Sequence, residues 1–175
     1  QSCYTACYRR PMPNQETRAL LLRRGEFVTV EIPGAVSTSL VGITRAGDIA
    51  GYYGSADGRE HGFTLSGGRF TTIDYPGFEM TRPIGINEKG EMVGMIYNRT
   101  GDTRHRGCFL SGGQFTLIDY PEPNLMICLF HINDNSDSYG HWQDAAGIRH
   151  GLIWSKGKLT SFDVPGASQT AIDAG

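Results

Sequence analysis

Several features that mark common functional classes are missing from this sequence. Its apolar runs fall short of the roughly 18 residues needed to cross a membrane, and its formal net charge of −2 comes without a basic tract for nucleic acid. The four cysteines form neither a Cys-x-x-Cys zinc pair nor a haem-attachment signature. No Ser/His/Asp, Cys/His or phosphate-loop constellation is evident. We therefore expect no membrane span, nucleic-acid partner, metal, cofactor or enzyme activity.

A repeat of about 44 residues fills most of the chain. Each copy opens on a glycine that is followed by a polar and an apolar residue, and each closes on a proline. These prolines are Pro33, Pro76, Pro121 and Pro165, spaced by 43, 45 and 44 residues. Such a period is typical of an architecture in which one supersecondary unit stacks on the next. Glycine supplies 24 of the 175 residues, about twice the usual share, as a fold made of tight turns requires.

Each repeat contains four short runs of β-branched and aromatic residues bounded by turn formers, which predict four strands. In the second repeat these runs are 39–43, 48–53, 61–65 and 70–76. Residues 18–24 resemble a helix but align with the third strand, so the fold is expected to be all-β. Four strands in about 44 residues match one blade of a β-propeller. We predict one four-bladed, β-propeller-like domain over residues 1–175, with units at about 34–76, 77–121 and 122–165.

The two ends of the chain predict a closing blade that they share. Residues 167–175 stop where another unit would reach its first strand, and residues 1–33 start near the strand that follows it. The terminal strands are expected to pair and close a ring, which leaves few free sheet edges. Alternatively, the end of one molecule pairs with the start of the next and gives an open polymer, because exchanging an identical element costs little. The candidate residues for closure or assembly are Cys3, Tyr4, Cys7 and Tyr8.

The four cysteines, Cys3, Cys7, Cys108 and Cys128, are candidates for disulfides. In an extended segment the Cα atoms of Cys3 and Cys7 would lie about 13 Å apart, too far to be bridged, whereas a turn would allow the bond. Cys108 and Cys128 fall on strands of adjacent units. Disulfides of a secreted protein, buried free thiols and a bridge between molecules are the alternatives. Gln1 is not an initiator Met, and no signal peptide is present, so we expect a processed mature form or a recombinant fragment.

The recurring motifs resemble those of the HAF-type extracellular repeat proteins of bacteria. The resemblance rests on His-Gly-Phe at 61–63, Phe-x-x-Ile-Asp-Tyr-Pro-Gly at 70–77 and Gly-Ile-Asn-x-x-Gly-x-x-Val-Gly at 85–94, with degenerate copies over most of 18–175. It implies a secreted, propeller-like protein and brings no catalytic residues with it. The first 17 residues depart most from the pattern.

Two charged positions recur in the repeat, and we interpret both as structural. An acidic residue stands two positions before each repeat proline: Glu31, Asp74, Asp119 or Asp163. A basic residue opens each third strand: Arg18, His61, Arg106 or His150. A residue that recurs in every unit more often stabilises the unit than forms part of one active site, and an Asp in a turn accepts backbone N–H bonds.

Residues 133–137 carry oxygen ligands at alternate positions but lack the Gly and the Glu of an EF-hand, so a solvated turn is favoured over a calcium site. Asn98 begins a glycosylation sequon.

The fourth unit differs most from the others and carries the candidate ligand-binding residues. These are His131, His141, Trp142 and Trp154. Aromatic rings with polar neighbours line sugar-binding clefts, and they equally pack blade cores.

We predict a secreted, non-enzymatic structural or adhesive repeat protein that self-assembles into an extracellular polymer, or filament, through its split terminal blade. The alternative is a glycan-binding propeller lectin. A glycoside-active enzyme is less favoured, because no pair of inward-facing carboxylates is identified.

Overall fold

In the computed structural model, which describes residues 6–7, 19–23, 25–120 and 124–172, the chain is all-β. The first unit contains β1 (Ala6–Cys7), β2 (Ala19–Arg23) and β3 (Glu26–Val30). The second contains β4 (Ala35–Ile43), β5 (Ile49–Ser55), β6 (Glu60–Ser66) and β7 (Arg69–Ile73). The third contains β8 (Met80–Ile86), β9 (Met92–Tyr97), β10 (Arg106–Ser111) and β11 (Gln114–Ile118). The fourth contains β12 (Asn124–Ile132), β13 (Ser138–Asp144), β14 (Arg149–Ser155) and β15 (Lys158–Phe162). These described segments include no helix that could cross a membrane.

Each unit is an antiparallel meander in which every strand pairs with the strand next to it in sequence. The second and third units join into one eight-stranded sheet through a parallel pairing of Glu60 with Met80. A similar parallel bridge, His105 with Met126, links the third unit to the fourth. The third strand of one unit therefore contacts the first strand of the next unit at each of these two junctions.

The predicted all-β fold is confirmed, whereas the described strands form several sheets of which none is closed, so the four-bladed propeller stays a prediction. Over the described residues the first unit has three strands, and residues 167–172 form no strand against β1. The first strands are longer than predicted, because they begin soon after the Pro-Gly turns and run through residues without a strand-like pattern, Pro83 among them. Residues 18–24, which resemble a helix in sequence, include β2.

The second strands of the second, third and fourth units each contain a glycine that allows the first strand to approach closely. These glycines are Gly51, Gly94 and Gly140, and a Cβ atom built on them would lie 2.2, 2.0 and 1.9 Å from the backbone oxygens of Ser39, Arg82 and Cys128. The pairing register of the two strands shifts beside each glycine, as it does at a β-bulge. The recurring glycine therefore has a steric cause, since only a residue without a side chain fits at this distance from the neighbouring backbone.

An apolar cluster joins each unit to the next. Ile32 packs with Ile49 and Phe63 at the first junction, and Ala50 packs with Met92 and Leu110 at the second. The third cluster is the largest and consists of Val93, Ile118, Ile127, Leu129, Trp142, Leu152 and Trp154. Burial of these side chains between units is the main favourable contribution to the stacking of the repeat.

Candidate functional site

The two tryptophans that sequence analysis assigns to ligand binding lie between the third and fourth units. Trp142 is 5% exposed and Trp154 is 7% exposed. The Trp142 ring stacks on Tyr120 at a centroid distance of 4.3 Å, and its Nε1–H donates to the Ser161 hydroxyl at 2.8 Å. The Trp154 ring packs 4.7 Å from the Phe109 ring. These contacts correspond to the core-packing alternative, and binding of sugar by either indole stays a prediction.

The two histidines of the same predicted site lie elsewhere. His141 is buried, with Nδ1 3.5 Å from the carbonyl oxygen of Ile172. The His131 ring stacks on Tyr139 at 5.2 Å. Because consecutive side chains of a strand point to opposite faces, His141 points away from the cluster that holds its neighbour Trp142. The structure therefore does not bring the four predicted residues into one cleft.

Of the cysteines, Cys108 and Cys128 are buried, and no disulfide joins them. Burial, together with the neighbouring Cys128 thiol, raises the pKa of Cys108 to about 12. A thiol held in this neutral form is a poor nucleophile. Cys3, Tyr4 and Tyr8 lie outside the described residues, as does the side chain of Cys7.

The two recurring charged positions are partners of each other, which the sequence analysis missed. His61 Nδ1 lies 2.8 Å from Asp74 Oδ1, and His150 Nδ1 lies 2.9 Å from Asp163 Oδ2. In the third unit the Arg106 Nε–H donates to the Asp119 carboxylate at 3.1 Å. The sequence holds a signal for this pairing, because the two positions are equidistant from the turn between the third and fourth strands. We name each pair a hairpin clamp.

The hairpin clamp has a third member, which comes from the end of the second strand or from the loop that follows it. Arg106 also pairs with Asp102, and His150 Nε2 lies 3.6 Å from Asp144 Oδ2. In the second unit this member is a hydroxyl, with Ser55 Oγ 3.1 Å from His61 Nε2. The clamp therefore links the third strand both to the residue that follows the fourth strand and to the segment that precedes the third strand.

Ser55, His61 and Asp74 thus have the connectivity of a catalytic triad, but two observations favour the structural role. A triad needs the serine hydroxyl to donate to the imidazole, whereas the Ser55 hydroxyl donates to the Asp57 carboxylate. In addition, equivalent positions in the other units hold Arg106 or an aspartate, neither of which preserves the triad. The arrangement repeats a structural element of the fold.

A second polar cluster lies at the junction of the second and third units. The Arg82 guanidinium donates to the Glu60 carboxylate through Nη2 at 2.5 Å and through Nε. It also lies over the rings of Tyr52 and Tyr97, 5.2 and 5.6 Å from their centroids. The Tyr97 ring in turn stacks on His105 at 4.2 Å. Glu60 lies in the second unit and Arg82 in the third. The paired hydrogen bonds between their opposite charges therefore link the two units.

The clamp of the fourth unit predicts a dependence of stability on pH. Hydrogen bonding to Asp163, and more weakly to Asp144, raises the pKa of His150 above its ordinary value despite partial burial. A raised pKa in the folded state adds stability below the unfolded value, about 6.5, and that stability is lost as the pH rises through the raised value. The pair is partly exposed, so we expect a loss of roughly 0.5–1 kcal/mol.

Thermal unfolding measured from pH 5.5 to pH 8.5 checks this expectation. Wild type should lose stability above about pH 6.5 relative to the His150→Gln variant, which carries no titrating ring. Parallel curves for the two proteins would show that His150 does not contribute in this way.

The segment that follows the fourth unit repeats the start of a unit. A turn closes from Ala167 N to Val164 O at 3.1 Å, as one does from Ala35 N to Ile32 O at 3.1 Å before β4. Gly166 has a positive φ of 81°, which suits the third position of a type II turn after a proline. The segment then reaches Ile172, the last residue described.

Two further contacts of this segment match those of a first strand. Val164 N donates to Thr170 Oγ1 at 2.9 Å, as Tyr75 N does to Thr81 Oγ1 at 2.9 Å. Thr170 N donates to the carbonyl of Arg149 on β14 at 2.8 Å. The corresponding bond between the third and fourth units, from Ile127 N to His105 O, is also 2.8 Å. Residues 164–172 therefore dock on β14 as a first strand docks on the preceding unit.

No protein-family model matches the chain, and a search of curated proteins finds no matching sequence. The resemblance to HAF-type repeat proteins accordingly stays a prediction.

Proposed function

We propose that this chain is a secreted, non-enzymatic structural or adhesive repeat protein that self-associates by strand exchange. The observation that carries the proposal is the segment 164–172, which has the turn, the threonine contact and the backbone bridge of a first strand. Its complement is the first unit, described as the three-stranded sheet β1–β2–β3. Secretion rests on the family resemblance.

The register of the joint follows from the other units. Cys7 pairs with Leu20 as Gly51 pairs with Phe63 in the second unit, and Gly51 in turn pairs with Leu40 of β4. Counting from the shared threonine position, Ile172 corresponds to Leu40. We therefore place the backbone of Ile172 opposite Cys7 of a second copy, at a wider strand spacing than beside the glycines of the other units, so that the two copies complete one four-stranded, propeller-like blade. Pairing of the same two segments within one chain would close a four-bladed ring instead.

Replacing Thr170 by Pro tests the strand exchange. Proline has no backbone N–H, so it cannot make the bond from Thr170 N to the Arg149 carbonyl that docks the segment on β14. We expect the Thr170→Pro variant to be monomeric by light scattering, while Thr170→Ser, which keeps both the N–H and the hydroxyl, associates as wild type does. A proline variant that associates as strongly as wild type would contradict the proposal.

The glycan-binding alternative predicts that Trp142→Ala abolishes sugar binding and leaves the fold intact. With Trp142 in the core, no contact among the described residues favours that alternative over self-association. A glycan array with the wild-type protein tests it directly.

A further inference from the structure

The fourth unit presents an apolar surface, here named the C-terminal face, formed by Tyr139, Ile153, Phe162 and Val164. Their side chains are 38%, 40%, 37% and 55% exposed, respectively. They come from β13, from β14, from the end of β15 and from the residue that follows Asp163. Four large exposed hydrophobics on one face of one sheet mark an interaction surface.

The repeat shows what this face is built to contact. Tyr139 immediately precedes Gly140, the glycine of its second strand. Val93 and Ala50 hold the same position in the third and second units, and they are 1% and 0% exposed. Val93 and Ala50 each pack against the unit that follows their own. The position of Tyr139 is therefore one that a following unit covers.

The other three positions behave in the same way. Phe162 immediately precedes the recurring acidic residue of its unit, Asp163. Ile118 holds the same position in the third unit, and it is 3% exposed in the cluster between the third and fourth units. Ile153 corresponds to Phe109, and Val164 to Tyr120, and both of these pack against that same cluster. Each exposed residue of the C-terminal face thus has a counterpart in an internal interface.

The first unit carries the complementary surface, here named the N-terminal face, formed by Leu20, Leu22 and Phe27. Leu20 is 37% exposed and Phe27 is 68% exposed. Leu20 corresponds to Leu152, which is fully buried against the preceding unit. Phe27 corresponds to Leu159, which packs against the same cluster. At the internal junctions, the residues at these positions pack against the preceding unit.

We infer that the C-terminal face binds the N-terminal face of a second copy of this chain, head to tail, with the same packing as the three internal junctions. The inference rests on the proposed self-association and adds the surface that stabilises it. Both faces are exposed in the same chain, so the described strands of the first unit do not cover the fourth unit. Because the two faces differ, the contact is heterologous and leaves one face free at each end for further copies.

Charged substitutions on each face test the inference, since burying an unpaired carboxylate in an apolar contact is strongly unfavourable. We expect Ile153→Glu on the C-terminal face, and Phe27→Glu on the N-terminal face, each to weaken association at least about a hundredfold. Ile148, 42% exposed in the loop between β13 and β14, belongs to neither set of face residues and provides the matched control, and Ile148→Glu should associate as wild type does. Circular dichroism establishes that each variant is folded.

Mixing the two variants gives the decisive result. Each variant keeps one intact face, so the mixture should form dimers and nothing larger, while either variant alone stays monomeric. Association that Ile153→Glu blocks, but that Phe27→Glu leaves intact, would mean that two identical faces meet, and it would overturn the inference. If both face variants associate as wild type does while Thr170→Pro is monomeric, the inference falls and the proposed strand exchange stands. A wild type that is monomeric throughout overturns both.

Discussion

Replacing Gly94 by Ala is expected to destabilise the protein by roughly 3–5 kcal/mol, a value at the top of the range for single substitutions. The new Cβ would lie 2.0 Å from the backbone oxygen of Arg82 and 2.8 Å from the Cα of Pro83. Neither atom belongs to a flexible side chain, so relief requires the two strands to separate and to lose their pairing. Chemical denaturation monitored by circular dichroism measures the change.

The control for this substitution is Gly90→Ala in the turn before β9. Gly90 has a φ of 75° and no atom within 4 Å of a built Cβ, so the variant tests left-handed strain alone, about 1–2 kcal/mol. If Gly94→Ala is no more harmful than Gly90→Ala, the steric explanation of the recurring glycine is wrong.

Replacing Trp142 by Ala is expected to cost roughly 3–5 kcal/mol through the cavity that it leaves. The indole fills the cluster between the third and fourth units, stacks on Tyr120 and His150, and donates to Ser161. Its loss therefore removes packing at a junction of the repeat as well as within one sheet.

Ser161→Ala serves as the matched variant, because it removes the hydrogen bond and leaves the indole in place, for about 1 kcal/mol. A Trp142→Ala protein as stable as wild type would remove the tryptophan from the core and restore it as a candidate for ligand binding.

The unit architecture could be predicted from the sequence because it depends on local signals. Pro-Gly pairs such as Pro76-Gly77 and glycine hairpins such as Gly67-Gly68 fix the turns, and β-branched runs fill the strands between them. The first strands were underestimated, since residues 80–83 pair by their position next to β9 and the preceding unit. The local sequence of residues 80–83 contains no signal for either of these pairing partners.

The candidate site was predicted less well, for a physical reason. Trp142 and Trp154 are large amphipathic side chains that suit a cleft and a core equally, and only the packing of the third unit against the fourth decides between them. His61 and Asp74 stand 13 residues apart, so their partnership depends on the hairpin register. Closure of the ring depends on contacts between units that are distant in sequence, which no repeat period specifies.

The central claim is that the two terminal faces and the terminal strands join copies of this chain. Sedimentation of the wild-type protein over about a hundredfold range of concentration tests this claim most directly. The account predicts a mass that rises with concentration in steps of 19.2 kDa, with no closed stoichiometry, as head-to-tail addition requires. A constant 19.2 kDa species over the whole range would contradict it.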